Sequence, residues 1–256
     1  MPGKTGVRQT LCSTETRPIG QGLPHPHIFQ FSRAKRTRRV RRNARWAGTL
    51  GPMQRVLMVR HGQTDWNAIN RWQGWIDIPL NQVGIEQAQS KAAALQQGNH
   101  VFAAVASSDL SRAHETAAIL ADALGIDTHF VHSGFRERFG GDWQGLTRGE
   151  IDSGWPEQVE LWKAGHLAGP PNAESTAVML ERFDAAIRAC TQSVPVGDIL
   201  LVTHGGIQRA IATRAGISMQ GVLVNLGSMW FEINEGEIQQ SVMSQSHIPQ
   251  QPMDAQ

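Results

Sequence analysis

The chain has 256 residues, room for one large domain or two small ones, with 40% hydrophobic residues and a formal charge of +2. Its two cysteines, Cys12 and Cys190, form no disulfide framework and no metal-ligand spacing, and no apolar run approaches the roughly 18 residues of a membrane span. The small net charge hides an asymmetry: residues 1–52 hold eleven Lys and Arg against one acid, Glu15, for +10, and the remainder holds thirteen against twenty-one, for −8.

Residues 1–52 read as a basic, disordered extension. They carry Pro-His-Pro-His at 24–27 and a basic run from Arg33 to Arg45, have few apolar residues to bury, and show no helical or strand period. No apolar stretch marks a secretory signal, and Arg38-Arg39 lacks the apolar run of a twin-arginine signal. Three readings stay open: a tail for nucleic acid or an anionic membrane, a transit peptide, and an extension without function. Met53 would make a natural start, leaving 204 residues. The sparse cysteines suit a reducing compartment, so a cytoplasmic location is expected. His25 and His27 in the Pro-His repeat read as inert.

From residue 53 to 243 the chain alternates strand and helix, and 244–256 is a polar tail. Val56–Val59 is a short buried strand. Gly84–Gln97 is helical, with Ile85, Ala88, Ala92 and Leu95 on one face. Val101–Ser107 is the second strand. Arg112–Leu124 is a helix that Ser111 or Asp109 could cap and Gly125 ends. Thr128–Val131 makes a short strand, and Gly134–Gly149 reads as a Gly-rich loop. Pro156–Ala164 and Glu174–Gln192 are helices, the latter with Val178, Phe183, Ile187 and Cys190 inward. Ile199–Thr203 is a strand and Ile207–Ala215 a helix. Met229–Ile233 and Ile238–Val242 flank Asn234-Glu235-Gly236 as a hairpin. The rhythm predicts an α/β three-layer sandwich, a mostly parallel sheet with helices on both faces.

Chemistry concentrates at strand ends and helix starts, where ligands sit in open α/β sheets. Arg60-His61-Gly62-Gln63-Thr64, with Asn67, follows the first strand. An arginine offers a planar fork of donors for phosphate oxygens, and the glycine lets backbone approach closely. Alone, such a histidine is usually structural. Thr203-His204-Gly205-Gly206, however, repeats the strand, His, Gly arrangement. Between them lie Ser107-Ser108-Asp109-Leu110-Ser111-Arg112-Ala113 with Glu115-Thr116, and Arg136-Glu137 followed by Gly141-Asp142-Trp143-Gln144-Gly145. Arg112 at a helix start is mildly unfavourable to the dipole unless a phosphate joins it there.

Taken in order, these four blocks resemble the histidine phosphatase superfamily, the phosphoglycerate mutase-like family, over nearly all of residues 54–233. The resemblance implies a phosphoglycerate mutase-like fold and a phosphomonoester hydrolase working through a phosphohistidine. It implies that His61 is the nucleophile, that Arg60, Arg112, His204 and Asn67 hold the phosphate, and that Glu137 serves as acid and then base, with His204 completing the catalytic set. Flanking Arg60 and Arg112 should keep His61 neutral. No metal and no cofactor are implied. Gln73, Trp75 and Trp143 are candidates for a substrate pocket, with Trp72 nearby. Ser107 and Ser108 read as scaffold, and His114, His129, His132 and His166 as structural or surface residues. The family often has Gly-Gly before Glu-Ser, where this chain has Asn172-Ala173, which puts the local loop geometry in question.

The family contains mutases and phosphatases. The separation of 67 positions from Glu137 to His204 is short for a mutase. A second phosphate or carboxylate would find few partners in that stretch, Arg148, Lys163, Arg182 and Arg188, while Trp155, Leu161, Trp162 and Leu167 favour an apolar or sugar part. A phosphatase acting on a small phosphorylated metabolite is therefore expected, with a cofactor-dependent phosphoglycerate mutase as the alternative. A different class, a non-catalytic scaffold whose basic arm binds nucleic acid, is disfavoured. No membrane partner is expected. The oligomeric state is open, and a homodimer is allowed.

Overall fold

A computed structural model describes residues 54–164, 166, 169–217, 222–234, 236–239 and 250–251. The basic arm with Cys12, His25, His27 and Met53, together with Leu167, Glu235 and most of the polar tail, lies outside the described residues.

Strand β1 (Gln54–Arg60) is buried almost throughout because its side chains meet helices on both sides of the sheet. Val56 and Met58 face one way, with α6 (Thr176–Ser193) and α7 (Gly205–Arg214). Leu57 and Val59 face the other, with α2 (Gln82–Gln97) and α3 (Ser111–Leu124). A strand covered on both faces needs a continuous apolar run rather than an alternating one. β2 (Phe102–Ser107), β3 (His129–Val131) and β4 (Asp198–Thr203) complete the parallel part. The six-stranded sheet runs β3-β2-β4-β1-β6-β7, and β6 (Ser228–Asn234) pairs antiparallel with β1. β7 (Glu237–Gln239) closes the expected hairpin. The sheet is thus parallel over four strands and antiparallel at one edge, flanked by helices on both faces.

Smaller elements went unread in the sequence. α1 (Asp65–Ala68) begins at a Thr64–Asn67 capping box, and α4 (Arg148–Gly154) at a Thr147–Glu150 box. The expected loop over 134–149 holds two single 3₁₀ turns, Ser133–Phe135 and Gly141–Trp143. The expected helix over 156–164 is α5 (Pro156–Lys163), directly after α4, whereas the pairing of β5 (Val222–Leu223) with β8 (Gln250–Gln251) was not expected.

Two local expectations need correction. Val178 is 54% exposed, and Met179 takes the inward position. The buried set 179, 183, 186, 187 and 190 keeps the 3- and 4-residue steps of one helical face, and 178 lies off it. Neither Ser111 nor Asp109 caps α3: its N-cap is Leu110, without a side-chain bond. The cap comes from Asp77, whose carboxylate accepts from the Ser111 backbone N–H and hydroxyl, both at 2.7 Å. Asp109 instead holds Arg136 in a two-pronged ion pair at 2.7 and 2.6 Å. Gly125 ends α3 in the left-handed conformation, as expected.

Candidate active site

The parallel pairing of β1 with β4 creates the site. Arg60 sits opposite Thr203, so the next residues, His61 and His204, leave the sheet side by side. The His61 backbone N–H bonds the Thr203 carbonyl at 3.0 Å, and the two imidazole centroids are 5.1 Å apart, edge to face. Both rings are buried. Gly62 is required by close approach: a Cβ there would lie 2.6 Å from the Gly84 carbonyl oxygen at the start of α2.

His61 Nδ1 lies 2.7 Å from the Gly62 carbonyl oxygen. A carbonyl only accepts, so Nδ1 carries the proton and Nε2 keeps its lone pair. Burial, and then the nearby charges of Arg112 and Arg60, hold His61 well below its ordinary pKa of 6.5; the Gly62 bond opposes this and loses. His204 is lowered in the same way, by burial first and then by Arg112, His61, Arg182 and Arg60. Both imidazoles are therefore neutral at pH 7. Burial lowers Arg112 to about 10, which leaves it charged.

Arg112 reaches the site from the first turn of α3. Its guanidinium donates to the Ile76 and Gly74 carbonyls at 3.0 and 2.8 Å, which fixes its plane. Arg60 donates to the Leu223 carbonyl. Among the described residues, the buried polar atoms without a partner include Arg60 Nε, Arg112 Nε, both His204 nitrogens and Gln73 Oε1. Buried polar groups are normally satisfied. Three donors, one from each of Arg60, Arg112 and His204, thus stand unused, and all three residues act on His61, His204 by ring contact and the arginines through their charge, a pattern that an anion's oxygens complete.

Asn67 is held by the α1 cap. Its Oδ1 accepts from the Thr64 N–H at 3.2 Å and from Asn225 Nδ2 at 3.4 Å, leaving its own Nδ2 as a donor. Asn225 also donates to the His61 carbonyl at 2.8 Å. Sequence reading missed it, and its Val-Asn-Leu-Gly context carries no chemical signal.

Glu137 enters on the loop after β3. Its Oε2 accepts from the Gly206 N–H at 2.9 Å, in the first turn of α7, and Oε1 accepts from the Arg138 N–H at 2.7 Å. Gly206 leaves room for it: a Cβ would come within 3.0 Å of the Glu137 Cδ. The Thr203 hydroxyl ties this loop to β4 through the Phe135 carbonyl at 2.8 Å.

Arg60, His61, Asn67, Gln73, Arg112 and Glu137 line one cavity of about 720 Å³ together with Gly205 and Gly206 of α7; His204 is fully buried against the His61 ring and is not in the lining. Trp75 and Trp143 do not line it. Trp143 is buried in a small separate core with Ile151 and Val159, against the edges of Trp72 and Trp162, because its 3₁₀ turn points it away from the opening. The Trp75 indole instead donates to the Glu137 carbonyl at 2.6 Å. The aromatic wall is supplied by Trp72 and Trp162.

The cations differ from expectation as well. Arg148, Lys163, Arg182 and Arg188 are absent from the lining, whereas Arg71, Arg138, Arg209 and Arg214 join Arg60 and Arg112 there. Arg209 and Arg214 follow the second histidine, beyond the stretch that sequence counting weighed. A stripe of α7 through Gly205, Arg209 and Thr213 at four-residue steps carries one face of that helix along the cavity. Glu137 is the single carboxylate among the described lining residues. A body of charge −8 thus gathers six of its thirteen cations around one opening.

Asn172 answers the missing Gly-Gly. It adopts a left-handed conformation, φ 58°, which Asn tolerates, and its amide donates to both Asp142 oxygens at 3.1 and 3.0 Å. His132 accepts from the Gly134 N–H, and His114 and His166 are exposed, all structural or surface placements.

Residues 56–235 match the pattern of the histidine phosphatase superfamily (branch 1). A glucosyl-3-phosphoglycerate phosphatase of Mycobacterium tuberculosis is 34% identical over 167 residues, covering 62% of this chain and 74% of that protein. A 2,3-bisphosphoglycerate-dependent phosphoglycerate mutase of Parvibaculum lavamentivorans is 35% identical over 164 residues, covering 61% of this chain and 77% of that protein. Among solved structures, a mycobacterial glucosyl-3-phosphoglycerate phosphatase in complex with VO₃ superposes with a TM-score of 0.60 at 31% identity, over 70% of this chain and 92% of the other.

Proposed function

The chain belongs to the histidine phosphatase superfamily and is a phosphomonoester hydrolase that works through a phosphohistidine; from that premise we propose which residues carry the reaction and what kind of ester they accept. The neutral Nε2 of His61 attacks phosphorus. The N–P bond forms as the P–O bond to the leaving group breaks, and Glu137 delivers a proton to the departing oxygen. Water then attacks the phosphohistidine and gives its proton to Glu137. The N–P bond breaks, its electrons return to Nε2, and orthophosphate leaves. Splitting the transfer in two is the use of a covalent nucleophile.

Arg60, Arg112, His204 and Asn67 hold the non-bridging oxygens, and stabilising their charge is the main electrostatic task of phosphoryl transfer. The Gly62 carbonyl, on Nδ1–H, supports the positive charge that the ring gains when phosphorylated.

The natural substrate carries a second acidic group on its leaving part. The observation behind this is that Arg71, Arg138, Arg209 and Arg214 line the cavity with Arg60 and Arg112, with Glu137 as the one carboxylate among the described lining residues. None of these arginines is without a partner: Arg71 lies 3.8 Å from a Glu150 oxygen and Arg138 donates to the Thr176 hydroxyl. Arg214 pairs with Asp184 at 2.7 and 2.9 Å, so the charge offered is shared rather than bare. Trp72, Trp162, Leu180 and Leu223 add an apolar wall that suits a sugar or carbon-chain body. Phosphoglycerate derivatives, the class named for the mycobacterial relative, combine these features. A bisphosphorylated mutase intermediate would use the same arginines, so mutase activity is the second reading.

A panel of 3-phosphoglycerate, glucosyl-3-phosphoglycerate, phosphoserine and neutral glycerol phosphate, assayed for orthophosphate release, tests this. The acidic esters should show the higher kcat/KM, with release unaffected by chelator. Preference for the neutral ester removes the second-acid reading. Interconversion of phosphoglycerates faster than orthophosphate release establishes the mutase.

A further inference from the structure

The Glu137 side chain is only as well aimed as the two peptide planes that flank its Cα. One plane carries the Arg136 carbonyl and the other the Glu137 carbonyl. Both carbonyls accept from one guanidinium, that of Arg182 on α6, at 2.7 and 2.8 Å. The same group holds the Gly134 carbonyl at 2.8 Å and both Glu174 oxygens at 2.7 Å. Every one of its five N–H donors is thus used, three on the backbone of the acid-bearing loop and two on the carboxylate that anchors it. Lysine, with three donors on one nitrogen, cannot reproduce that fork.

A second donor, Trp75 Nε1, reaches the same Glu137 carbonyl at 2.6 Å. Its indole lies against Arg182 and Arg136, 5.7 and 5.2 Å from ring centroid to guanidinium carbon, and against the edge of Phe139. The loop of Trp75 is itself tied down, because Gln144 Oε1 accepts from the Trp75 N–H at 2.8 Å and from the Gly140 N–H at 3.1 Å. Neither Trp75 nor Arg182 lines the cavity.

We propose that Trp75 and Arg182 are positioning residues for proton transfer by Glu137, holding its peptide oxygen with two donors. They touch neither substrate nor phosphate. They fix the direction in which the Glu137 carboxyl is presented to the leaving oxygen. Misplacement of a reacting group by about 1 Å can cost on the order of 10²-fold in rate. The inference rests on the assignment of Glu137 as the proton donor.

The test is the leaving-group dependence of kcat/KM, which reports the step that expels the leaving group. p-Nitrophenolate departs without a proton, whereas the alkoxide of glycerol phosphate needs one. Glu137→Gln first tests the assignment itself: it should lower turnover of glycerol phosphate far more than that of p-nitrophenyl phosphate, and equal losses overturn the proton-donor reading. With that shift in hand, Trp75→Phe, which removes one N–H from a partly exposed ring, should lower the alkyl substrate about tenfold and the aryl substrate by less than about threefold, a fraction of the ~10²–10⁴ that general acid catalysis supplies. Arg182→Lys, with the charge kept and the fork lost, should shift the same ratio further. In a Glu137→Gln background, Trp75→Phe should add no further change of the ratio. Equal losses on both substrates for Trp75→Phe, or a full extra shift in the double variant, overturn the proposal while leaving Glu137 in place. Trp75→Phe decides the matter should Arg182→Lys fail to fold.

Discussion

The two halves of the site are built differently. The nucleophile half comes from the sheet: Arg60 with His61, and His204, are consecutive with residues of adjacent strands whose register is set by main-chain bonds and an apolar core on both faces. The proton-donor half comes from a loop whose shape is imposed from outside by Arg182, Glu174, Trp75 and Thr203. The first half is rigid because it continues the fold. The second is held by a few replaceable contacts, which makes it the part that can be tuned without rebuilding the protein.

Removing the nucleophile should erase this difference, because nothing in either half can substitute for it. His61→Ala is expected to drop turnover of aryl and alkyl phosphates alike to background, a loss on the order of 10⁶-fold by analogy with other nucleophile deletions. A residual rate that still depends on Glu137 would show that the halves are not in series. Arg112→Ala, which acts on charge rather than on the proton, should cost about 10²–10³-fold on both kinds of substrate. A loss confined to alkyl esters would place Arg112 in the proton-donor half instead.

Two glycines sharpen the contrast between a half that cannot yield and one that can. A Cβ at Gly62 meets backbone at 2.6 Å, whereas at Gly206 it meets the end of the Glu137 side chain. Gly62→Ala should destabilise the protein by about 1–3 kcal/mol, the usual cost of forcing atoms into packed backbone. Gly206→Ala should leave the thermal midpoint nearly unchanged and lower alkyl-ester hydrolysis by displacing Glu137. Equal midpoint shifts in the two variants would mean that the loop is as unyielding as the sheet.

The smallest expected effect is a pH dependence of stability to which the two fully buried histidines of the sheet half contribute most. His61 and His204 are held well below 6.5 by burial, so beneath that pH the unfolded chain binds protons that the folded chain refuses. Their contribution is complete above about pH 6.5 and is lost as pH falls toward the folded values, at up to about 1.4 kcal/mol per pH unit for each. Urea midpoints between pH 7 and 5 should fall less steeply in His61→Asn/His204→Asn than in the native chain. Parallel slopes would contradict the account.

Legibility followed the same division. His61, His204 and Arg60 could be read because a buried strand announces itself and the catalytic residue is the next in line. Arg112 could be read from its helix start. Glu137 is legible only through its neighbours in the pattern, and what positions it is not: Arg182 reads as a substrate cation in the sequence and is spent on backbone carbonyls in the structure. Trp75 and Trp143 read as pocket residues in the sequence because aromatic residues in nearby loops give no sign of which way their turns will point them. Arg209 was within reach, since four-residue steps from Gly205 along α7 arrive at it. Asp77 as the α3 cap was not, because it acts from 34 residues away through a fold not yet known.

The central claim is that phosphate rides on His61 and not on its neighbour 5.1 Å away. Rapid mixing with a phosphomonoester, an alkaline quench that preserves phosphohistidine, and tryptic mass mapping separate the two, because cleavage after arginine puts His61 in peptide 61–71 and His204 in peptide 189–209. The account predicts phosphate on peptide 61–71 in the native chain and none in His61→Ala. Phosphate on peptide 189–209, or turnover with neither peptide labelled, would contradict it.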